Sequence, residues 1–439
     1  MYNKKKHGNT TFYSHLLYSP ANHSVYLPVR IPLSRLLTSI ASTILLFLTG
    51  CSAGRSLSKT KMEGRVEFLG VFTHTVHWLP FDKQVETMEE ILARNPYIKG
   101  VGIRAPWRFF SPTKDACETK DFLELVRFLK ERKLHVYVAL IPGSLCTPGW
   151  VFDEGAGKIT THGPLSQVMP YTVVPWDPVY MKHWEIFLKK IAPIIEAEEG
   201  IFSVDILGHN AMMEMHMPGG EENLEQWRSF GWSPEVVWEN WKHWVDFYAG
   251  QFPHKKLAIT LSLMYGPETA DLTTRIATYA IEKYPSRIIL TNHQLHGRFD
   301  YMNAEDPQHG SQIKFRDRAP SGWECLGSWW QQPDRQGSVD LAVYNTLKAN
   351  PLFIQIWNRD ALVNPDYAGR IAECFEEYSR ISPAELKEKL QAEGKYKTRE
   401  QNTWKPKDHK PGSDSQLPSP SKERYPEYYE AFRKGFAGD

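Results

Sequence analysis

The chain has 439 residues and is 41% hydrophobic, enough for one large domain or two ordinary ones. Its formal net charge of +1 gives no electrostatic basis for binding nucleic acid. The 15 tryptophans, several in segments that read as loops (Trp78, Trp107, Trp150, Trp329, Trp330), serve either as core and rim packing or as flat platforms for sugar-like ligand faces.

Residues 36–50, LLTSIASTILLFLTG, form an apolar run after Arg30 and Arg35 and before Cys51. The run is short for a membrane span, which needs about 20 apolar residues, and suits the core of an export signal. The string LTGCS resembles the bacterial lipobox. That resemblance implies a lipoprotein signal over residues 1–51, lipidation of Cys51, and a lipid-anchored place in the bacterial cell envelope. Ser52 lacks the Asp that favours inner-membrane retention in signals of that kind, so the expectation is an outer-membrane or periplasm-facing anchor, with no other contact to the membrane.

From about position 66, short β-rich runs alternate with longer amphipathic ones. The strand candidates are 68–76, 99–105, 135–141, 201–208, 257–263, 287–293, 322–328 and 352–357. Helical patterns such as KQVETMEEILARN and DFLELVRFLKERK separate most of them, and the sixth interval, DYMNAEDPQHGSQIKFRDRA, is the weakest helix. Eight such repeats predict an α/β fold, a (β/α)8 TIM barrel over residues 64–385. No glycine-rich phosphate loop follows the first strand, which weighs against a doubly wound sheet. Residues 386–439 read as a polar, Pro-rich tail with a short terminal helix. The spacing of Cys117, Cys146, Cys325 and Cys374 matches no zinc pattern; Cys117 and Cys146 fall in consecutive loops and could pair, the alternative being buried thiols.

Barrel enzymes carry their active sites at the C-terminal ends of the strands, and alternation along a strand decides which side chains point inward. That rule selects Arg104 on strand two, Asp205 and His209 on strand four, and Asn292, His293 and His296 on strand six. It also selects Glu324 on strand seven, and Gln355, Trp357 and Asn358 on strand eight. The segment after strand four, LGHNAMMEMHMPGG, adds Asn210, Glu214 and His216. Two carboxylates across a cleft are what glycoside hydrolysis requires, one to protonate the leaving oxygen and one to attack the anomeric carbon or activate water.

This arrangement resembles the large clan of (β/α)8 glycoside hydrolases with catalytic glutamates after strands four and seven. Arg104, Asn210, Glu214, His293, Glu324 and Trp357 fall where that clan has its Arg, Asn-Glu pair, His or Tyr, second Glu and Trp. In this chain AMM separates Asn210 from Glu214, where the clan's pair is adjacent. The string EMHMP (214–218) is similar to one in poorly characterised bacterial barrel proteins of the same class. The resemblance implies Glu214 as general acid/base and Glu324 as nucleophile or electrostatic stabiliser, with Arg104 keeping Glu324 ionised. His209, Asn210, His216, Asn292, His293 and Asn358 would hydrogen-bond the sugar, and Trp357 with Trp107 or Trp150 would form floor and wall. The substrate is then a poly- or oligosaccharide, and no cofactor or metal is implied. Two alternatives stay open: a surface barrel that binds glycan without cleaving it, and a metal-dependent hydrolase using His74 and His77. The second is opposed by a spacing of three, which turns two strand residues to opposite sides.

Overall fold

A computed structural model describes residues 66–143, 146–162, 170–209, 221–261, 271–306, 310–403 and 427. Eight parallel strands close into a barrel: β1 (Gly70–His74), β2 (Ile98–Pro106), β3 (His135–Ile141), β4 (Ile201–Asp205), β5 (Lys256–Thr260), β6 (Ile288–Leu295), β7 (Ser321–Cys325) and β8 (Pro351–Gln355). Each pairs with its sequence neighbours and β8 pairs with β1, so the fold is the (β/α)8 barrel that the alternation predicts.

The helices between them are α1 (Phe81–Arg94), α2 (Lys120–Glu131), α3 (Pro178–Ala197), α4 (Pro234–Gln251), α5 (Leu272–Lys283), α6 (Gly310–Lys314), α7 (Val339–Leu347) and α8 (Asp366–Tyr378). Local chemistry explains several starts. Asp177 accepts from the amides of Val179 and Tyr180 ahead of α3, and Ser233 caps α4, each with a proline at the first helical position. The weak sixth interval yields only the five residues of α6. Among the described residues no helix is long and apolar enough to cross a membrane.

The lower barrel interior is filled by aromatic rings set against glycines on neighbouring strands. Phe72, Tyr137 and Phe353 form one buried cluster, with Phe72 and Phe353 stacked at 4.7 Å. A Cβ on Gly100 would lie 2.3 Å from the Phe72 ring, one on Gly102 2.4 Å from Tyr137, and one on Gly322 2.4 Å from Phe353. Two residues further along the same strands, the inward positions become polar: His74, Arg104, Glu324 and Gln355. The aromatic layer therefore floors a polar one.

Two expectations are corrected here. Closing the barrel at 385 stops too early, because the helix Pro383–Ala392 packs on α7 with Leu386 and Leu390 buried. Beyond it the Tyr396 hydroxyl donates to Asp300 Oδ2 at 2.7 Å, and the Asp300 amide donates to Lys397 O at 2.8 Å. Residues 386–403 thus belong to the folded body, held by an apolar i, i+4 pair that composition alone hid. No disulfide joins Cys117 to Cys146. Cys146 is buried with Ala139, Ile141 and Leu207 at the barrel end, whereas Cys117 is half-buried on the loop before α2.

Candidate active site

The register that closes the barrel sets Phe72, Gln355 and Glu324 side by side on β1, β8 and β7. Glu324 is buried and accepts from Arg104 Nη2 at 2.7 Å on both carboxylate oxygens. Gln355 Nε2 donates to Oε2 at 2.6 Å, and the Tyr137 hydroxyl donates to Gln355 Oε1 at 2.5 Å. The tyrosine thus fixes which end of the amide faces the carboxylate. His293 Nδ1 stands 3.7 Å from Oε2. A cation and an amide donor thus converge on one buried carboxylate through charge-assisted hydrogen bonds.

A carboxylate offers about four lone-pair sites. Among the described residues Oε2 takes two donors and Oε1 one, which leaves Oε1 the larger acceptor capacity toward a bound group.

His74 lies against the same guanidinium. Its Nδ1 is 3.0 Å from Thr75 O, and a carbonyl only accepts, so this nitrogen carries the proton. Arg104 Nη1 is 3.3 Å from both ring nitrogens, which puts it over the face of the ring. Burial, with Arg104 next, pushes the His74 pKa well below its ordinary value. His77, in the turn beyond β1, is lowered to about 3 by burial, with Arg104 and Arg108 adding to it. Both rings are therefore neutral hydrogen-bonding groups. A guanidinium over His74 is poor company for a metal cation, and the metal-hydrolase alternative loses its first ligand.

Trp357 completes one wall. Its indole donates to Cys325 O at 2.8 Å and meets the His74 ring edge-on at 5.6 Å. Asn358, half-buried, opens the short helix Asn358–Val363 directly after it. At the neighbouring rim, buried Asp360 accepts from the Ser328 hydroxyl at 2.7 Å and from the Trp329 and Trp330 amides at 3.0 and 2.9 Å. Burial raises its pKa, and these donors act against that rise. The clamp holds the β7 loop, which presents Trp330 at 47% exposure.

Arg104, His293 and Glu324 lie together, and Trp357 stands against His74 with Asn358 next in the chain. Others are not. Trp107 is fully buried against Trp184 and Phe187 at 5.1 and 5.8 Å, because it opens a one-turn helix that swings it behind the barrel. Trp150 packs edge-on against Trp107 and donates to Ser111 O at 2.9 Å, as part of that same layer. His209 stacks on Trp241 of α4 with ring centroids 3.3 Å apart, turned to the helix layer, and burial lowers its pKa. Asn292 is fully buried, donates to Leu261 O at 3.0 Å and accepts from the Gln294 amide at 2.8 Å, bracing backbone on the side of β6 opposite His293. Asn210, Glu214, His216 and Cys51 lie outside the described residues. Gln355 was selected by its place on strand eight but given no role, and Tyr137 was not singled out, although alternation along β3 leads to it.

No protein-family model matches the chain, and no curated protein does. Among solved structures it is similar to a β-galactosidase from the psychrophilic Marinomonas ef1, at TM-score 0.44 and 11% identity over 73% of this chain. It spans only 61% of that protein's length. The catalytic domain of a β-amylase from Paenibacillus polymyxa gives 0.46 and 10% identity, over 72% of this chain and 98% of that one. Xylanase 10B from Thermotoga maritima gives 0.42 and 12%, over 71% and 95%. The identities are far too low to transfer a site, and the barrel assignment stands on the strand order above.

Proposed function

We propose that this chain is a glycoside hydrolase acting on a poly- or oligosaccharide at the C-terminal mouth of its barrel, exported and tethered to the cell envelope through Cys51. The observation that carries the reading is the Glu324 carboxylate, held by Arg104 and Gln355 near the end of β7, where Cys325 O accepts from the Trp357 indole. Glu324 Oε1 attacks the anomeric carbon or steadies the positive charge that develops there. Glu214 protonates the leaving oxygen and then activates water. Carboxylate separation sets the stereochemistry: about 5 Å for retention, about 6.5–9.5 Å for inversion. His74, neutral, and His293 offer hydrogen bonds to hydroxyls, and Trp357 offers a face to the ring.

One observation favours a second reading, a barrel that binds glycan without cleaving it. Glu324 is buried and three of its acceptor sites are already used, as in a structural anchor. Sugar release from aryl glycosides and a polysaccharide panel separates the two, with Glu324→Gln and Glu214→Gln beside the wild type. Hydrolysis lost by about 10²-fold or more in both variants supports the enzyme. A wild type that binds glycans yet releases sugar from none of them supports the binder.

A further inference from the structure

A cleft opens on the flank of the barrel, between the chain that leaves β6 (residues 300–306) and the segment that follows helix Pro383–Ala392 (residues 396–400). Its volume is about 320 Å³, near the lower end of the range for small-molecule sites. Lys348, which stands between α7 and the start of β8, pairs with Asp300. The cleft therefore lies toward the end of the barrel where the strands begin, apart from the mouth that holds Glu324.

Both walls are held from behind. The Asp300 amide donates to Lys397 O at 2.8 Å and the Tyr396 hydroxyl to Asp300 Oδ2 at 2.7 Å, which joins the two segments. The Tyr396 ring is also set edge-on to Tyr344 at 6.0 Å. Tyr301 is buried, donates to Gln294 O at 3.2 Å and lies against the His296 ring at 4.2 Å. A ligand here meets a surface that is already ordered, which lowers the cost of binding.

The charges around the cleft offset one another. Lys348 pairs with Asp300, and Arg399 stands beside Glu400. The Thr398 hydroxyl, then the backbone and Arg399, hold the Glu400 carboxyl below its ordinary range. A cation entering the cleft would face Arg399, and an anion would face Asp306 and Glu400. A neutral ligand that both donates and accepts fits such a lining, because carboxylates accept while an amide and a guanidinium donate. Asn303 Oδ1 is committed to the Glu305 amide at 2.9 Å, which leaves Nδ2 as the group it offers. Asn303, Arg399 and Glu400 are exposed, so solvent reaches them. Tyr301 and Tyr396 supply the aromatic surface that the apolar face of a sugar ring needs.

We propose that this cleft is a second, non-catalytic site that binds an uncharged hexose or pentose unit of a neutral polysaccharide. The Asn303 amide and the Arg399 guanidinium donate to sugar hydroxyls, and the Asp306 and Glu400 carboxylates accept from them. The site stands on its own chemistry and does not require hydrolysis at the mouth.

Affinity electrophoresis of the purified chain tests it without turnover, in gels containing dextran, galactomannan, arabinoxylan or starch. At least one of these neutral polymers is expected to retard the wild type. Asn303→Asp keeps the acceptor for the Glu305 amide and removes the donor, and should weaken that interaction about fivefold. Arg399→Ala should weaken it about tenfold, with Arg399→Lys recovering part. Both side chains are exposed, so both variants should melt with the wild type. Glu324→Gln, at the mouth, should keep the flank interaction.

No retardation by any of the four polymers overturns the proposal. So does retardation that Asn303→Asp and Arg399→Ala leave intact, which assigns the binding elsewhere. Dextran sulfate that retards the wild type beyond dextran, with the excess lost in Arg399→Ala, makes the occupant an anion and overturns the neutral assignment. Diethylaminoethyl-dextran with Glu400→Gln gives the corresponding result for a cation. The hydrolase reading fails separately: flank-dependent retardation without hydrolysis of any glycan leaves this site standing, and hydrolysis without such retardation leaves only the hydrolase.

Discussion

Replacing Arg104 by methionine keeps most of the side-chain volume and removes the cation from Glu324. The pair is tight and dry: Nη2 is 2.7 Å from both carboxylate oxygens, with side-chain exposures of 7% and 5%. At an effective dielectric of about 20 and a charge separation of about 4 Å, the lost attraction is about 4 kcal/mol. That agrees with the roughly 3–5 kcal/mol typical when one partner of a buried pair is removed. Arg104→Met should therefore cost about 4 kcal/mol at neutral pH, read from urea unfolding by tryptophan fluorescence. The double variant Arg104→Met with Glu324→Leu removes both charges and should cost less than the single one. Its remaining deficit, about 1–3 kcal/mol, comes from Gln355 Nε2, which loses its acceptor. A cost below about 1 kcal/mol for Arg104→Met would refute the reasoning, since Glu324 would then not be a buried anion dependent on Arg104. So would a double variant as unstable as the two single effects summed, because coupling between the groups is the whole of the argument.

Three further outcomes follow from the same geometry. Gly102→Ala should destabilise by about 1–3 kcal/mol, because the new Cβ would meet the Tyr137 ring at 2.4 Å, and Tyr137→Leu in the same chain should recover part of the loss in thermal melts. Asp360→Ala should cost about 2–4 kcal/mol and speed proteolysis within 328–331, since a hydroxyl and two backbone amides lose their acceptor. Acid should weaken the fold early: with His77 held at about 3 against an ordinary 6.5, and His74 and His209 also lowered, the unfolded chain takes up protons first. Stability is then full above about pH 6.5 and falls as pH drops toward 3. Full conversion of the His77 shift gives about 5 kcal/mol, which partial solvent access reduces to about 2–3, and urea midpoints between pH 7 and 4 should flatten in His77→Gln.

The eight strands were legible because each is a short apolar run between helical patterns, and their observed ladders begin within two residues of the expected positions. Their ends were less so. Strand four was read to 208 but its ladder stops at Asp205, because Ile206 and Leu207 stay apolar and buried past the last paired residue. Arg104 and Glu324 could be matched from the sequence because each is an inward position near a strand end, and the barrel closes such positions onto one another. The same alternation also says that Asn292 and His293 cannot both face the mouth, and the structure sends Asn292 outward to Leu261 O. Trp107 and His209 failed for a different reason: they lie beyond the last ladder residue, where a period of two no longer fixes direction. Trp107 opens a one-turn helix and His209 lies on the face of Trp241.

A strand residue inherits its direction from the ladder, whereas a loop residue has none until some partner supplies it. Here the partners are remote in sequence: Asp360 holds Trp330 from 30 residues away, and Gly337 packs against the backbone of Gly297 from the next loop. Neither apposition leaves a local pattern in the chain. The rim groups are thus the ones that alternation could not reach, while the Glu324 carboxylate was within its range.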